Sequence, residues 1–205
     1  MEKLKSSITN MALALTGVAV ITGGILAYVN HVTEGPIAVQ KKKTLDDGIK
    51  YVMGGGQLTI SNIDTVRQDI KGKEYTYVIY QTQDAQQKDL GAAVESTTQG
   101  FGGNLKILVG FDPEGNILGY TLLEHAETPG LGAKADKWFQ KGEKGDIIGQ
   151  NPAQPLTVSK DGGQVDAITA STITSRAFLA AVNQAYSAYK ATPIDAETGA
   201  SKQEK

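Results

Sequence analysis

Between Ile168 and Phe178 the chain reads ITASTITSRAF. Five of the seven residues from Thr169 to Ser175 carry a hydroxyl: Thr169, Ser171, Thr172, Thr174 and Ser175. Behind them Phe178, Val182, Ala185 and Tyr189 recur at spacings of three and four, with Ala177, Ala180 and Ala181 broadening the face. That periodicity predicts a helix from Ile173 to Lys190, ended by Thr192-Pro193. The hydroxyls therefore sit at a helix N-terminus, where backbone N–H groups lack partners and the helix carries partial positive charge. One or two Ser or Thr residues are expected there as caps, and five exceed that need. A phosphate suits such a place. Thr169, Ser171 and Thr174 are candidate donors to phosphate oxygens, and Arg176, four residues after Thr172, is a candidate charged donor one turn along. From the residues alone, helix capping and a solvent-facing polar turn remain competing readings.

Composition narrows the chemistry. The 205 residues contain no cysteine and two histidines, His31 and His125, and the net charge is −2. Without cysteine there is no disulfide, iron–sulfur cluster, thiolate zinc site or c-type haem attachment. Two distant histidines make a two-histidine metal site a poor expectation, so no metal site is predicted. A chain this acidic offers no electrostatic footprint for nucleic acid. Any redox chemistry must then be carried by an organic cofactor. A hydrolase using Ser171 or Thr172 as nucleophile would need a general base, and no Ser-x-x-Lys arrangement lies near the cluster. His125 is read as a surface or packing residue, and Trp138 as a core or surface aromatic.

The elements that must position these residues are legible in outline. Ser6 to Asn30 carries no charged residue and is long enough to cross a bilayer as a helix. Gly17, Gly23, Gly24 and Ala27 on it would let another helix approach. Lys3 and Lys5 precede the span, and a long domain follows, which predicts an inside N-terminus and an exported domain. The run Lys41 to Lys43 is a solvated helix face or a headgroup contact. Val39 to Val52 predicts a helix, broken by Gly54 to Gly56, which lack the Gly-Lys-Ser/Thr of a phosphate loop. EYTYVIYQT and AAVEST predict strands, and LKILVGFD and ILGYTLLEH predict a hairpin turning at Asp112 to Asn116. Strands followed by a terminal helix, without alternation, predict an α+β domain with a mostly antiparallel sheet and flanking helices behind one N-terminal transmembrane helix. The expected boundaries are 1–7 for a cytoplasmic N-terminus, 8–30 for the membrane helix, 31–191 for an extracytoplasmic domain, and 192–205 for a polar, disordered tail.

Two stretches carry a resemblance. DAITASTITSRA, from Asp166, resembles the flavinylation motif of the FMN-binding domain family, roughly Asp-x-x-Ser/Thr-Gly-Ala-Thr followed shortly by Thr or Ser. Ala170 stands where Gly is usual and Ser171 where Ala is usual. EHAETPGLGAKA, from Glu124, resembles the same family's Glu-Thr-Pro-Gly-Leu-Gly signature, and GFGGNLKILVGFD resembles the strand before it. With the N-terminal span the likeness covers essentially the whole chain. It is nearest to the G subunits of Rnf-type ion-pumping ferredoxin:NAD oxidoreductases, and more distant from the C subunits of sodium-pumping NADH:quinone reductases.

The resemblance implies a covalent FMN in phosphoester linkage to Thr172, with Glu127, Thr128, Pro129, Gly130, Leu131, Gly132, Thr169, Ala170, Ser171, Thr174 and Arg176 around it. Pro129, Gly130 and Gly132 make a rigid then permissive turn that lets backbone approach a ring system. Leu131 would offer the ring an apolar contact, and Glu127 and Thr128 polar ones. It further implies an electron-carrying, ion-transport phosphoprotein subunit, single-pass in the cell membrane. Its partners would be the other membrane and peripheral subunits of such a complex and a flavin transferase for maturation. A flavinylated carrier of a different membrane reductase is the alternative. The span has no Asp, Glu, Lys, Arg or His between Lys5 and His31, so the ion path is expected elsewhere.

Overall fold

The computed structural model describes residues 7–70 and 73–190. The 192–205 tail and all of the 1–7 segment except Ser7 lie outside them. The chain falls into two compact units, dividing between Thr44 and Leu45. Helix α1 (Ile8–Val52) begins in the first unit and there presents Leu13, Leu15, Val20, Ile25 and Leu26 as exposed apolar side chains. Its N-terminal part is long and apolar enough to cross a membrane. The expected separate helix at Val39–Val52 is instead the end of α1, whose 45 residues continue past Pro36 without a break. Side chains begin to join a core from Leu45 onward. The glycine break is as expected: Gly54, Gly55 and Gly56 all have positive φ, at 83°, 76° and 94°.

The second unit is α+β. Five strands, β1 (Thr59–Ile70), β2 (Lys73–Gln83), β3 (Asp89–Gln99), β4 (Asn104–Phe111) and β5 (Ile117–Glu124), form an antiparallel meander in chain order. β1 had no expectation from sequence; its TISNIDTVRQDI is polar, and it pairs along one side only, with β2. The β4–β5 hairpin turns where expected, with Asp112 Oδ1 accepting the N–H groups of Gly115 and Asn116 at 2.7 and 2.8 Å.

Strand alternation gives the sheet two apolar faces. On one face Tyr80, Ala93 and Leu108 pack with Ile49, Val52 and Met53. Gly110 and Gly119 admit the end of α1 there, since a Cβ on Gly110 would collide with the Val52 carbonyl. The same face buries Glu95, which accepts the Tyr80 hydroxyl at 2.6 Å and pairs with Lys106. On the other face Tyr77, Val94, Ile107, Phe111 and Tyr120 pack against helix α3 (Thr172–Tyr189) through Phe178, Val182 and Ala185. α3 is the helix expected from Ile173 to Lys190, displaced by one residue at each end.

Between β5 and α3 the chain forms only short elements: a 3₁₀ turn at Gly132–Lys134, helix α2 (Ala135–Trp138) and a 3₁₀ turn at Ser159–Asp161. They are pinned from the core. Phe139, just after α2, stacks on Phe178 with centroids 4.3 Å apart, and Tyr120 meets the same ring edge-on at 4.7 Å. The Tyr120 hydroxyl donates to the Ala135 carbonyl at 2.7 Å and accepts the Phe139 N–H at 3.2 Å. Burial drives the Tyr120 phenol pKa well above its ordinary value, so it stays a donor. Asn183 holds the later loop by exchanging two 3.0 Å hydrogen bonds with the Leu156 backbone. The start of α3 and the segment after β5 are thus held against one another by a shared aromatic cluster.

Candidate functional site

The two motifs meet at Glu127. The residue is 6% exposed. Oε1 accepts the N–H groups of Phe101 and Gly102 at 2.8 and 3.2 Å, and Oε2 accepts the Thr174 hydroxyl at 2.8 Å. One side chain therefore joins the β3–β4 turn, the loop after β5 and the first turn of α3. The glycines around it make room: a Cβ on Gly100 or Gly132 would overlap the carboxylate, and one on Gly102 would strike the Ala126 carbonyl. Gly132 thus makes room for the buried carboxylate as well as lining the cavity described next. Gly130, with φ 76°, does make the permissive turn.

Above this joint lies a cavity of about 350 Å³ lined by Phe101, Glu127, Thr128, Leu131, Gly132, Ala170, Ser171, Thr172, Ile173 and Thr174. That volume lies within the range of roughly 300–1,000 Å³ typical of small-molecule sites. Phe101, Leu131 and Ile173 are its exposed apolar members. Eight of the residues named from sequence line it; Pro129, Gly130, Thr169 and Arg176 do not. Pro129 and Gly130 border a neighbouring hollow with Lys134 and Trp138. Arg176 borders another, with Leu156 and Leu179.

Several hydroxyls have settled partners. Thr174 is 1% exposed and gives its hydrogen to Glu127, so it offers the cavity lone pairs rather than a donor. Ser175 is buried, donates to the Ser171 carbonyl at 3.0 Å and accepts the Ile168 N–H at 2.9 Å. Ser171 occupies the N-cap position of α3 without a side-chain capping bond. Helix capping therefore does not account for its hydroxyl. Thr172, half-buried on the cavity wall, has its Oγ1 3.2 Å from Lys160 Nζ. Asp166 accepts the Ser159 hydroxyl at 3.2 Å, and its carbonyl accepts the Trp138 indole N–H at 2.8 Å. Arg176 forms a two-point pair with Asp161, Nε to Oδ2 at 2.7 Å and Nη2 to Oδ1 at 2.6 Å. That hydrogen bonding and the guanidinium charge hold the Asp161 carboxyl below its ordinary range.

Ala170 occupies the left-handed region, φ 61°. A Cβ is strained there and glycine is not, which gives a physical reason for glycine at this place in the motif. Sequence reasoning missed three residues. Phe101 was visible as an aromatic between glycines, a pattern that places a ring on a tight turn. Ile173 was hidden by being the apolar residue of a polar cluster. Lys160 carries no local signal at twelve residues' separation from Thr172.

The residues present fit a flat, partly apolar group bearing a phosphate: an apolar rim, backbone at Gly132, and hydroxyls at the α3 N-terminus. Residues 100–187 match the model of the FMN-binding domain family, and residues 1–50 match the RnfG N-terminal region. The chain is 32% identical over 203 residues to the G subunit of the ion-translocating oxidoreductase complex of Aliivibrio fischeri, covering 95% of this chain and 93% of that one. It is 30% identical to the G subunit of the proton-translocating ferredoxin:NAD(+) oxidoreductase complex of Clostridium ljungdahlii, covering 90% and 92%. The corresponding G subunit of Shewanella amazonensis is 29% identical, covering 88% and 87%. With such likeness along nearly its whole length, and both family models laid over the elements just described, the chain belongs to the family of G subunits of ion-translocating oxidoreductase complexes.

Proposed function

We propose that this chain is a membrane-anchored electron-transfer subunit that carries FMN in phosphoester linkage to Thr172 and works within an ion-translocating ferredoxin:NAD oxidoreductase complex. The observation that carries the reading is the cavity in which the two motifs face each other, with the Thr172 hydroxyl on its wall. FMN, when bound there, supplies the one- and two-electron chemistry. The chain's own residues attach and orient it. Thr172 would supply the ester oxygen: its hydroxyl proton is lost as the oxygen–phosphorus bond forms and the phosphorus bond to the donor's leaving group breaks, a phosphoryl transfer carried out by the flavin transferase. Ser171 and the first-turn N–H groups of α3 face the phosphate. Phe101, Leu131 and Ile173 cover apolar ring surface, and Glu127 fixes the walls without needing to touch the flavin.

The first span of α1 anchors the domain, with the N-terminus inside and the domain outside. Covalent attachment suits that side, where a dissociated flavin would be diluted away. The match of residues 1–50 to the RnfG N-terminal region favours this complex over a sodium-pumping NADH:quinone reductase. Its partners are then the remaining subunits, and a flavin transferase matures it. The test is co-expression with such a transferase. The chain should show in-gel flavin fluorescence and a mass increase of FMN less water, and Thr172→Ala should lose both. An unmodified wild-type chain, or an unchanged signal in Thr172→Ala, would sink the assignment.

A further inference from the structure

The cation that the sequence places near Thr172 is Arg176, yet its Nε and Nη2 are both bound to Asp161. The Thr172 hydroxyl faces Lys160 instead, with Nζ 3.2 Å from Oγ1. Among the described residues Lys160 enters no ion pair, whereas Arg67, Lys106 and Arg176 do.

The loop carrying Lys160 is built to hold it there. Ser159 N–H donates to the Val165 carbonyl at 2.7 Å and Val165 N–H to the Thr157 carbonyl at 3.1 Å, closing the loop at its base. Gly162 ends the 3₁₀ turn in the left-handed region, φ 83°, and a Cβ on Gly163 would strike the Thr157 carbonyl. The Ser159 hydroxyl ties the turn to Asp166, the acidic residue of the attachment motif. Two consecutive residues, Lys160 and Asp161, thereby reach Thr172 and Arg176, one turn apart on α3. Asp161 satisfies Arg176. Lys160 is left holding a full positive charge against a neutral hydroxyl. A phosphodiester at Thr172 would place one negative charge at that spot.

Resting on the Thr172 attachment reading, we infer that Lys160 is the phosphate-binding cation of the site: its ammonium pairs with the phosphoryl group esterified to Thr172, and Arg176 does not. The test uses the full chain in detergent, prepared with and without flavin transferase and treated with limiting acetic anhydride. Acylation of each lysine is read by mass spectrometry. Flavinylation should lower labelling of Lys160 about 1.4- to fivefold, the range expected for one exposed ion pair, and leave exposed Lys88 unchanged. Under limiting transferase, Lys160→Gln should slow flavinylation by a similar factor and Lys160→Arg should restore it. The inference requires both results. Unchanged Lys160 labelling on a chain flavinylated at Thr172, or a Lys160→Gln variant flavinylated at the wild-type rate, overturns it alone. A wild-type chain that gains no flavin, or gains it in Thr172→Ala, removes the attachment reading and this inference with it.

Discussion

Glu127 is where the site is most vulnerable. Replacing it with alanine removes three hydrogen bonds at once. They are not equal. Thr174 is 1% exposed, so its hydroxyl loses its partner with little chance of hydration, a cost of about 1–3 kcal/mol. The Phe101 and Gly102 N–H groups lie on an exposed turn where water can replace the carboxylate, so together they cost about 0.5–1.5 kcal/mol. The sum is about 1.5–4.5 kcal/mol, or roughly 3–18 °C in unfolding temperature for a chain of this size. Urea titration followed through the single tryptophan, Trp138, reads it directly, since its indole is tied to Asp166 beside the site. Glu127→Gln keeps shape and one acceptor and should lose about half as much. A second measurement isolates the packing. Gly132→Ala overlaps the carboxylate in the wild-type chain, so it should cost less when Glu127 is already alanine. If Glu127→Ala falls within about 0.5 kcal/mol of wild type, the typical range for a surface change, Glu127 is not the joint described here.

Three further outcomes follow from particular contacts. Ala170→Gly should raise stability by up to about 1 kcal/mol, because it relieves a left-handed Cβ, whereas Ala170→Val should lower it by more than that; the urea midpoint decides the sign. The Asp161 carboxyl is held below its ordinary 3.8 by Arg176, so its contribution is present above that pH and disappears as pH falls through the depressed value. The unfolding temperature of Asp161→Asn should therefore sit below wild type near neutrality and converge with it in acid; a gap that persists in acid would mean the pair is not its source. Gly110→Ala should cost about 1–3 kcal/mol by forcing the end of α1 off the sheet, and a neutral result would contradict that contact.

Much of the site could be read from the sequence because its chemistry is local. Seven residues within one turn and its approach, 169–175, hold five hydroxyls. The signature after β5 is six contiguous residues. Helix α3 was legible from its period, and β2 to β5 from their apolar and β-branched runs. β1 was not, because a polar edge strand paired on one side has neither alternation nor a buried face to betray it. The continuity of α1 past Pro36 was not legible either, since a proline in sequence signals an end while the helix here runs through it.

What the sequence by itself determined is the inventory: a hydroxyl-rich helix start, a glycine-proline loop, an apolar span, and the absence of any cysteine. Those follow from residue type and short-range spacing. Which groups are spent on holding the fold was decided only by tertiary structure. Glu127 and Thr174, candidate ligands in the sequence, bond to each other in the fold, and Ser175 bonds to the backbone beside it, because burial obliges polar groups to find partners. Arg176 looks like the nearby cation, but Asp161 claims it, and Lys160 reaches Thr172 from a separate loop. Long side chains meet wherever packing brings their backbones together, and here that follows from the loop before α3, held to the helix by Asn183 at Leu156 and tied at Ser159 to Asp166, not from any spacing along the chain.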